Sequence, residues 1–171
     1  PYAKSKFEIE QKIDAYFQQG AEFLSLRFFN VYGPEQRLDS NYGAVVPIFI
    51  DRYTQGIQPT IYGSGKQSRD FVNVRDVSRL LVDLSIGEWA QPKQSVYNVG
   101  TGQSVTITEL ASLIHELSQS NLAFEPSFQT QRAGDIEHSV ASIEAIRRDL
   151  NWKPEISLEE GLRELIEVDS S

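Results

Sequence analysis

The sequence predicts an α/β fold with a parallel or mixed sheet, on three observations. Short apolar runs bounded by turn residues alternate with segments of helical periodicity, and parallel strands need helical crossovers between them. Two boxes of the form S/T-x-x-E, Thr106 with Glu109 and Ser157 with Glu160, mark the starts of helices. Glycines stand where the helical runs stop, at Gly20, Gly56 and Gly87. A chain of 171 residues, 40% of them apolar, is long enough to bury a core of its own.

The first helix is expected over 4–19, where Ile9, Ile13, Tyr16 and Phe17 recur at helical spacing, with Tyr2 and Lys6 sharing its first face. "EFLSLRFFNVYGP" reads as one buried strand over 22–31, stopped by Gly33 and Pro34. "AVVPIFIDRYTQG" is helical, with Pro47 tolerable in the first turn. "DFVNV" is a short strand, and Val77, Leu80, Leu81 and Leu84 place a helix over 75–86. "SVYNVG" is the next strand. Thr106 opens the helix that carries Leu110, Leu113, Ile114 and Leu117. A strand near 122–128, the loop "QRAGD", a short helix over 142–150 and a last helix from Ser157 complete the chain.

Composition excludes several classes. With 16 basic against 24 acidic residues the net charge is −8, which opposes the basic footprint that nucleic-acid binding needs. No apolar run approaches the roughly 18 residues of a membrane span and no charged-then-apolar leader is present, so a cytoplasmic protein is expected, not a membrane one. Cysteine is absent and the two histidines, His115 and His138, lie far apart, so no metal is expected.

Three phosphate-like patterns do not meet their templates. "GSGK" at 63–66 lacks the first glycine of a phosphate loop and has Gln67 where a hydroxyl residue should follow, so a tight turn is expected. "GTG" at 100–102 lies between a strand and a helix but lacks the third glycine of a dinucleotide fingerprint. "RRDLNWKPE" is a solvated helix end and turn. Tyr2 and Lys6, four residues apart, form a Tyr-x-x-x-Lys pair that occurs on many helix surfaces and also serves proton transfer. A free tyrosine has a pKa of about 10, and a cation one turn away favours its phenolate.

Taken in order, "PYAKSK", "LRFFNVYGP", "YGSGKQSRDFVNVRDV", "YNVGTG" and "AGDIEHSVASIEAIRRDLNWKP" followed by "SLEEGLRE" resemble the extended short-chain dehydrogenase/reductase family, in particular its nucleotide-sugar epimerases and dehydratases. Within it the likeness is to UDP-glucose and UDP-N-acetylglucosamine 4-epimerases, and it spans nearly the whole chain. The resemblance implies the C-terminal part of a Rossmann-type fold with its smaller α/β substrate-binding domain, beginning just before the catalytic helix. It divides the chain into the catalytic helix and following Rossmann strand (1–34), a substrate-domain segment (35–66), a return to the Rossmann sheet (67–105) and the substrate-binding domain (106–171). The glycine-rich, NAD-binding half that begins such enzymes is expected to lie outside this sequence. NAD is therefore not expected to bind tightly to these residues alone.

What the resemblance implies for chemistry is specific. Tyr2 removes the proton of a sugar hydroxyl as hydride leaves the same carbon for NAD, and Lys6 also holds the nicotinamide ribose. The keto sugar then turns over and receives hydride on its other face. Phe29 lies beside the nicotinamide and Asn30 hydrogen-bonds the diphosphate or sugar. Ala44 and Val45 lie near the nucleotide, and Thr60 and Tyr62 line the base. Arg69 and Arg132 bind the diphosphate and Asp135 the ribose, in keeping with the bidentate contacts of arginine with phosphate. Plainer readings stand beside these: Arg69 and Asp70 as a local ion pair, Arg132 as a loop-surface charge, Asn30 as a turn former. "GPEQR" lacks the histidine of some epimerase-reductases, which weighs against deoxyhexose synthesis of that type. The resemblance implies a NAD-dependent nucleotide-sugar 4-epimerase acting as a homodimer. A dehydratase or decarboxylase of the same family, or a noncatalytic nucleotide-sugar binding protein, is the alternative.

Overall fold

Helices form where the apolar spacing places them: α1 (Tyr2–Phe17), α2 (Val45–Thr54), α3 (Val74–Ile86), α4 (Ile107–Leu117), α5 (Glu144–Leu150) and α6 (Leu158–Asp169), in a computed structural model that describes residues 2–36, 45–87 and 91–169. Both capping boxes are built. The Thr106 hydroxyl accepts from the Glu109 N–H at 3.1 Å while the Glu109 carboxylate accepts from the Thr106 N–H at 2.8 Å. Ser157 and Glu160 repeat the exchange at 3.2 and 2.9 Å ahead of α6. Asn73 caps α3 by accepting from the Arg75 N–H at 2.9 Å. No described helix is long and apolar enough to cross a membrane.

The strands depart from the expectation in two places. The run expected as one strand over 22–31 is two, β1 (Ser25–Phe28) and β2 (Asn30–Tyr32). They separate at Phe29 because successive N–H groups turn to different partners: Phe29 donates to the Val99 carbonyl at 3.0 Å and Asn30 to the Asp70 carbonyl at 2.9 Å. With β3 (Thr60–Tyr62), β4 (Ser68–Arg69), β5 (Phe71–Asn73), β6 (Val96–Val99), β7 (Val105–Thr106) and β8 (Ser127–Gln129), the pairings are β1 with β6, β2 with β5 and β3 with β8, all parallel, and β4 with β7, antiparallel. The sheet structure is mixed. The strand expected near 122–128 is β8, displaced toward the C-terminus. Leu122 gives its carbonyl to the His115 ring at 2.8 Å, and Pro126 has no N–H to donate, so the ladder starts with Ser127, whose N–H reaches the Pro59 carbonyl at 3.0 Å. β4 and β7, two residues each, are too short for any periodicity to reveal.

Two apolar cores result, with the β2–β5 ladder as the wall between them. Alternation along the ladder turns Tyr32 and Phe71 to one side, where they join Phe49, Ile50, Ile61, Leu110, Ile114 and Leu162 from α2, β3, α4 and α6. Val31 and Val72, register partners, face the other side with Leu80, Tyr97, Val99, Ile146, Leu150 and Trp152 from α3, β6, α5 and the segment after it. Gly161 lets α6 approach this wall: a Cβ there would stand 2.2 Å from the Tyr32 hydroxyl. Buried Asp76, on α3, accepts from the Glu155 and Ile156 N–H groups at 3.0–3.1 Å and so fixes the segment that leads into α6.

Candidate active site

α1 is tied to the β1–β6 ladder by two polar links. Arg27 of β1 donates to both carboxylate oxygens of Glu10, at 2.8 and 2.6 Å, and the Ser95 hydroxyl donates to Asp14 at 2.5 Å. These links run the helix antiparallel to β1. Four residues of helix advance about 6 Å and two of strand about 6.6 Å, so one turn beyond the Glu10–Arg27 level stands Lys6 beside the level of Phe29. One further turn brings the backbone of Tyr2. The N-terminal turns of α1 therefore lie at the C-terminal ends of β1 and β6, the end of a parallel α/β sheet where ligands bind. Lys6 is exposed, and Phe29 and Asn30 are half-buried. Tyr2 is described by its backbone.

A second group gathers around β3, β4 and the loop after β8. Thr60 and Tyr62 share one side of β3; the Thr60 hydroxyl meets that of Ser127 at 3.0 Å, and the guanidinium carbon of Arg132 sits 4.2 Å over the Tyr62 ring. Arg69 does not pair with Asp70. Its guanidinium donates to the Ser68 carbonyl at 2.8 Å and forms an ion pair with Asp135, 66 residues away in sequence. Both partners are shielded, with side chains 15% and 24% exposed, so the pair is less screened than a surface one. Four residues expected to line the substrate thus form two contacts in one region. Val45, the first residue of α2, packs against the first core. Ala44 lies outside the described residues.

The glycine turn at 100–102 has a different use from the one its pattern suggests. Its N–H groups are occupied by the carboxylate of Asp70, which takes Thr101 N–H at 2.8 Å, Thr101 hydroxyl at 2.6 Å and Gly102 N–H at 2.9 Å. A turn so occupied does not cradle a pyrophosphate. The 63–66 stretch is a turn, as expected, with φ of 82° at Gly63 and 75° at Gly65. By spacing alone Asp70 is only a neighbour of Arg69; the signal for its burial is an acid leading an apolar strand, "DFV". Burial pushes the phenols of Tyr32 and Tyr53 up to about 12, so both stay protonated near neutrality. Among the described residues, neither of two surface clefts, one of about 220 Å³ lined by Phe71, Thr101 and Ile156 and one of about 350 Å³ lined by Phe17, Leu24 and Leu84, includes an expected site residue.

Parallel ladders joined by helical crossovers, with a Tyr-x-x-x-Lys helix at the C-terminal strand ends, define an α/β protein of the Rossmann type. The chain belongs to the NAD dependent epimerase/dehydratase family, whose model matches residues 1–100. Among solved structures it is similar to UDP-glucose 4-epimerase of Thermotoga maritima, crystallised with UDP-glucose (33% identity, TM-score 0.86, 99% of this chain and 53% of that one). It is also similar to UDP-N-acetylglucosamine 4-epimerase of Methanobrevibacter ruminantium in complex with UDP-N-acetylmuramic acid (33% identity, TM-score 0.87, 100% of this chain and 54% of that one). UDP-glucuronic acid decarboxylase 1 of Xenopus tropicalis is 36% identical over 166 residues, 96% of this chain and 38% of the decarboxylase. The chain spans about half the length of the two epimerases.

Proposed function

We propose that this chain supplies the substrate-binding and proton-transfer residues of a NAD-dependent nucleotide-sugar 4-epimerase of the UDP-glucose or UDP-N-acetylglucosamine type. The observation that carries the reading is the antiparallel tie of α1 to β1, which brings Lys6 level with Phe29 at the strand ends and the Tyr2 backbone one turn beyond. In this reading Tyr2 takes and returns the proton of the sugar hydroxyl, Lys6 is the cation that favours the phenolate, and Phe29 forms a wall beside the nicotinamide. Asn30 holds the sugar or diphosphate, Arg69 and Arg132 the diphosphate, Asp135 the ribose, and Ala44, Val45, Thr60 and Tyr62 the nucleotide. Bound NAD supplies the hydride acceptor and donor. The residues of this chain that fit it are Lys6 and Phe29, together with Tyr2; the 100–102 turn, occupied by Asp70, does not.

The reading includes a cytoplasmic homodimer with α1 in the subunit contact, supported by Phe7, Ile9 and Tyr16, each at least half exposed on that helix. Sedimentation of a purely monomeric protein at high concentration would remove this part. A decarboxylase is the second reading, favoured by the identity to the Xenopus enzyme. Assay of the protein expressed from its full natural gene against UDP-glucose, UDP-N-acetylglucosamine and UDP-glucuronic acid decides between them: interconversion of C4 epimers supports the first, release of carbon dioxide the second. Tyr2→Phe is expected to lower turnover by about 10² or more with similar affinity for the nucleotide sugar. Unchanged turnover would take Tyr2 out of its role.

A further inference from the structure

We infer that Asp70 is a positioning residue for substrate binding, one whose buried carboxylate holds Arg69 and Asp135 in a single arrangement; the inference rests on the reading of those two residues as nucleotide ligands. Asp70 is fully buried, at 0% exposure. Among the described residues its hydrogen-bond donors are the Thr101 N–H and hydroxyl on one oxygen and the Gly102 and Ala141 N–H groups on the other, at 2.6–3.1 Å. None of these is a cation. The acid therefore serves to gather main chain, joining the turn after β6 and the segment before α5 to the strand that presents Arg69.

That segment runs along β4 in register. Ser68 donates its N–H to the Glu137 carbonyl at 2.8 Å, the Ser139 N–H donates to the Ser68 carbonyl at 3.1 Å, and the Ala141 N–H reaches the Asp70 carboxylate at 3.1 Å. Asp135 lies two residues before the first of these contacts and Arg69 directly before Asp70, so the ion pair between them is held from both sides of the clamp. The main-chain carbonyl of Asp70 accepts from Asn30 at 2.9 Å, which places a third expected ligand one hydrogen bond away. The carboxylate sits in the space that Gly100 leaves open, since a Cβ there would stand 2.7 Å from one of its oxygens.

Asparagine is nearly the same size but replaces one acceptor oxygen with an amide that faces N–H donors. Asp70→Asn thus removes the clamp while leaving every proposed ligand in the sequence. Titration calorimetry with UDP, on the protein expressed from its full natural gene, reads the result in four forms: wild type, Asp70→Asn, Arg69→Ala and the double variant. Each single substitution is expected to weaken UDP binding by about tenfold. The double variant is expected to bind within about twofold of Arg69→Ala, because Asp70 acts through the Arg69–Asp135 pair, which Arg69→Ala already breaks. Should Asp70→Asn not fold, Thr101→Val deletes one of the four hydrogen bonds; it is expected to weaken UDP in the same direction and to have no further effect beside Arg69→Ala. Wild-type affinity in Asp70→Asn or Thr101→Val, or losses that multiply in the double variant, overturns the inference alone. A wild type that ignores UDP, or an Arg69→Ala variant that binds it normally, overturns the functional reading and this inference with it.

Discussion

The two cores on either side of the β2–β5 wall are closed to different degrees. The first, built on α2, α4 and α6, is entered by two helices with complete capping boxes, and Leu110, Ala111, Ile114 and Leu162 in it are all at 0% exposure. The second, built on β1, β6, α3 and α5, buries Leu80, Val99 and Trp152 but leaves Leu81, Val82 and Ile86 of α3 and Phe28 of β1 at 43–60% exposure. None of the described side chains of α1, which lies on that side, is buried. Both cores contain helices of similar amphipathicity. The contrast teaches that an apolar stripe specifies a face to be covered, not that the same chain covers it.

The contrast is broken most directly by truncation on each side. Leu110→Ala is expected to cost about 2–5 kcal/mol, whereas Val82→Ala, at an exposed position of α3, is expected to stay within about 0.5 kcal/mol. Urea unfolding of the two variants measures the difference, and equal losses would show that α3 is as well covered as α4. A smaller effect probes the wall itself. Gly161→Ala adds a methyl group that would stand 2.2 Å from the Tyr32 hydroxyl and 2.6 Å from the Asn73 amide. The overlap is expected to cost about 1–3 kcal/mol, against about 1 kcal/mol gained in helix propensity. A net rise in melting temperature would mean that α6 shifts freely on the wall.

Thr106→Ala removes the α4 cap and is expected to cost about 1 kcal/mol by the same unfolding measurement. The smallest effect is in the acid limb. The Thr106 N–H lowers the pKa of Glu109, the Ser157 hydroxyl that of Glu160 and the Arg27 guanidinium that of Glu10. Since each carboxyl is more acidic in the folded protein than in the unfolded chain, its contribution is complete above the ordinary glutamate value of 4.5 and is lost as pH falls through the lowered one. Circular dichroism across that range is expected to show destabilisation below it, with a shallower dependence in Thr106→Ala. An unchanged slope in that variant would detach Glu109 from the cap.

Much of the fold was legible in local pattern. The apolar spacing in α3 and α4, the two capping boxes and the stop at Gly87 depend on residues within one or two turns of each other, and each formed where expected. What was not legible depended on residues distant in sequence. Nothing in "LRFFNVY" says that Phe29 and Asn30 bond to different strands, since that requires Val99 and Asp70 in place. Similarly, the contacts of Arg69 with Asp135 and of Arg132 with Tyr62 join positions 66 and 70 residues apart. The motif resemblance grouped Tyr62, Arg69, Arg132 and Asp135 as expected substrate ligands, and the fold joins these four in two contacts, whereas charge and spacing alone favoured Arg69 beside Asp70.

The hand-over at Phe29 carries a mechanical consequence. One continuous extended stretch is anchored to β6 through its first half and to β5 through its second, and β5 is in turn shared by both cores. Sliding of one core past the other would therefore drag the Asn30 peptide with it, so a ligand that grips residues on both sides reports any such slip as lost affinity.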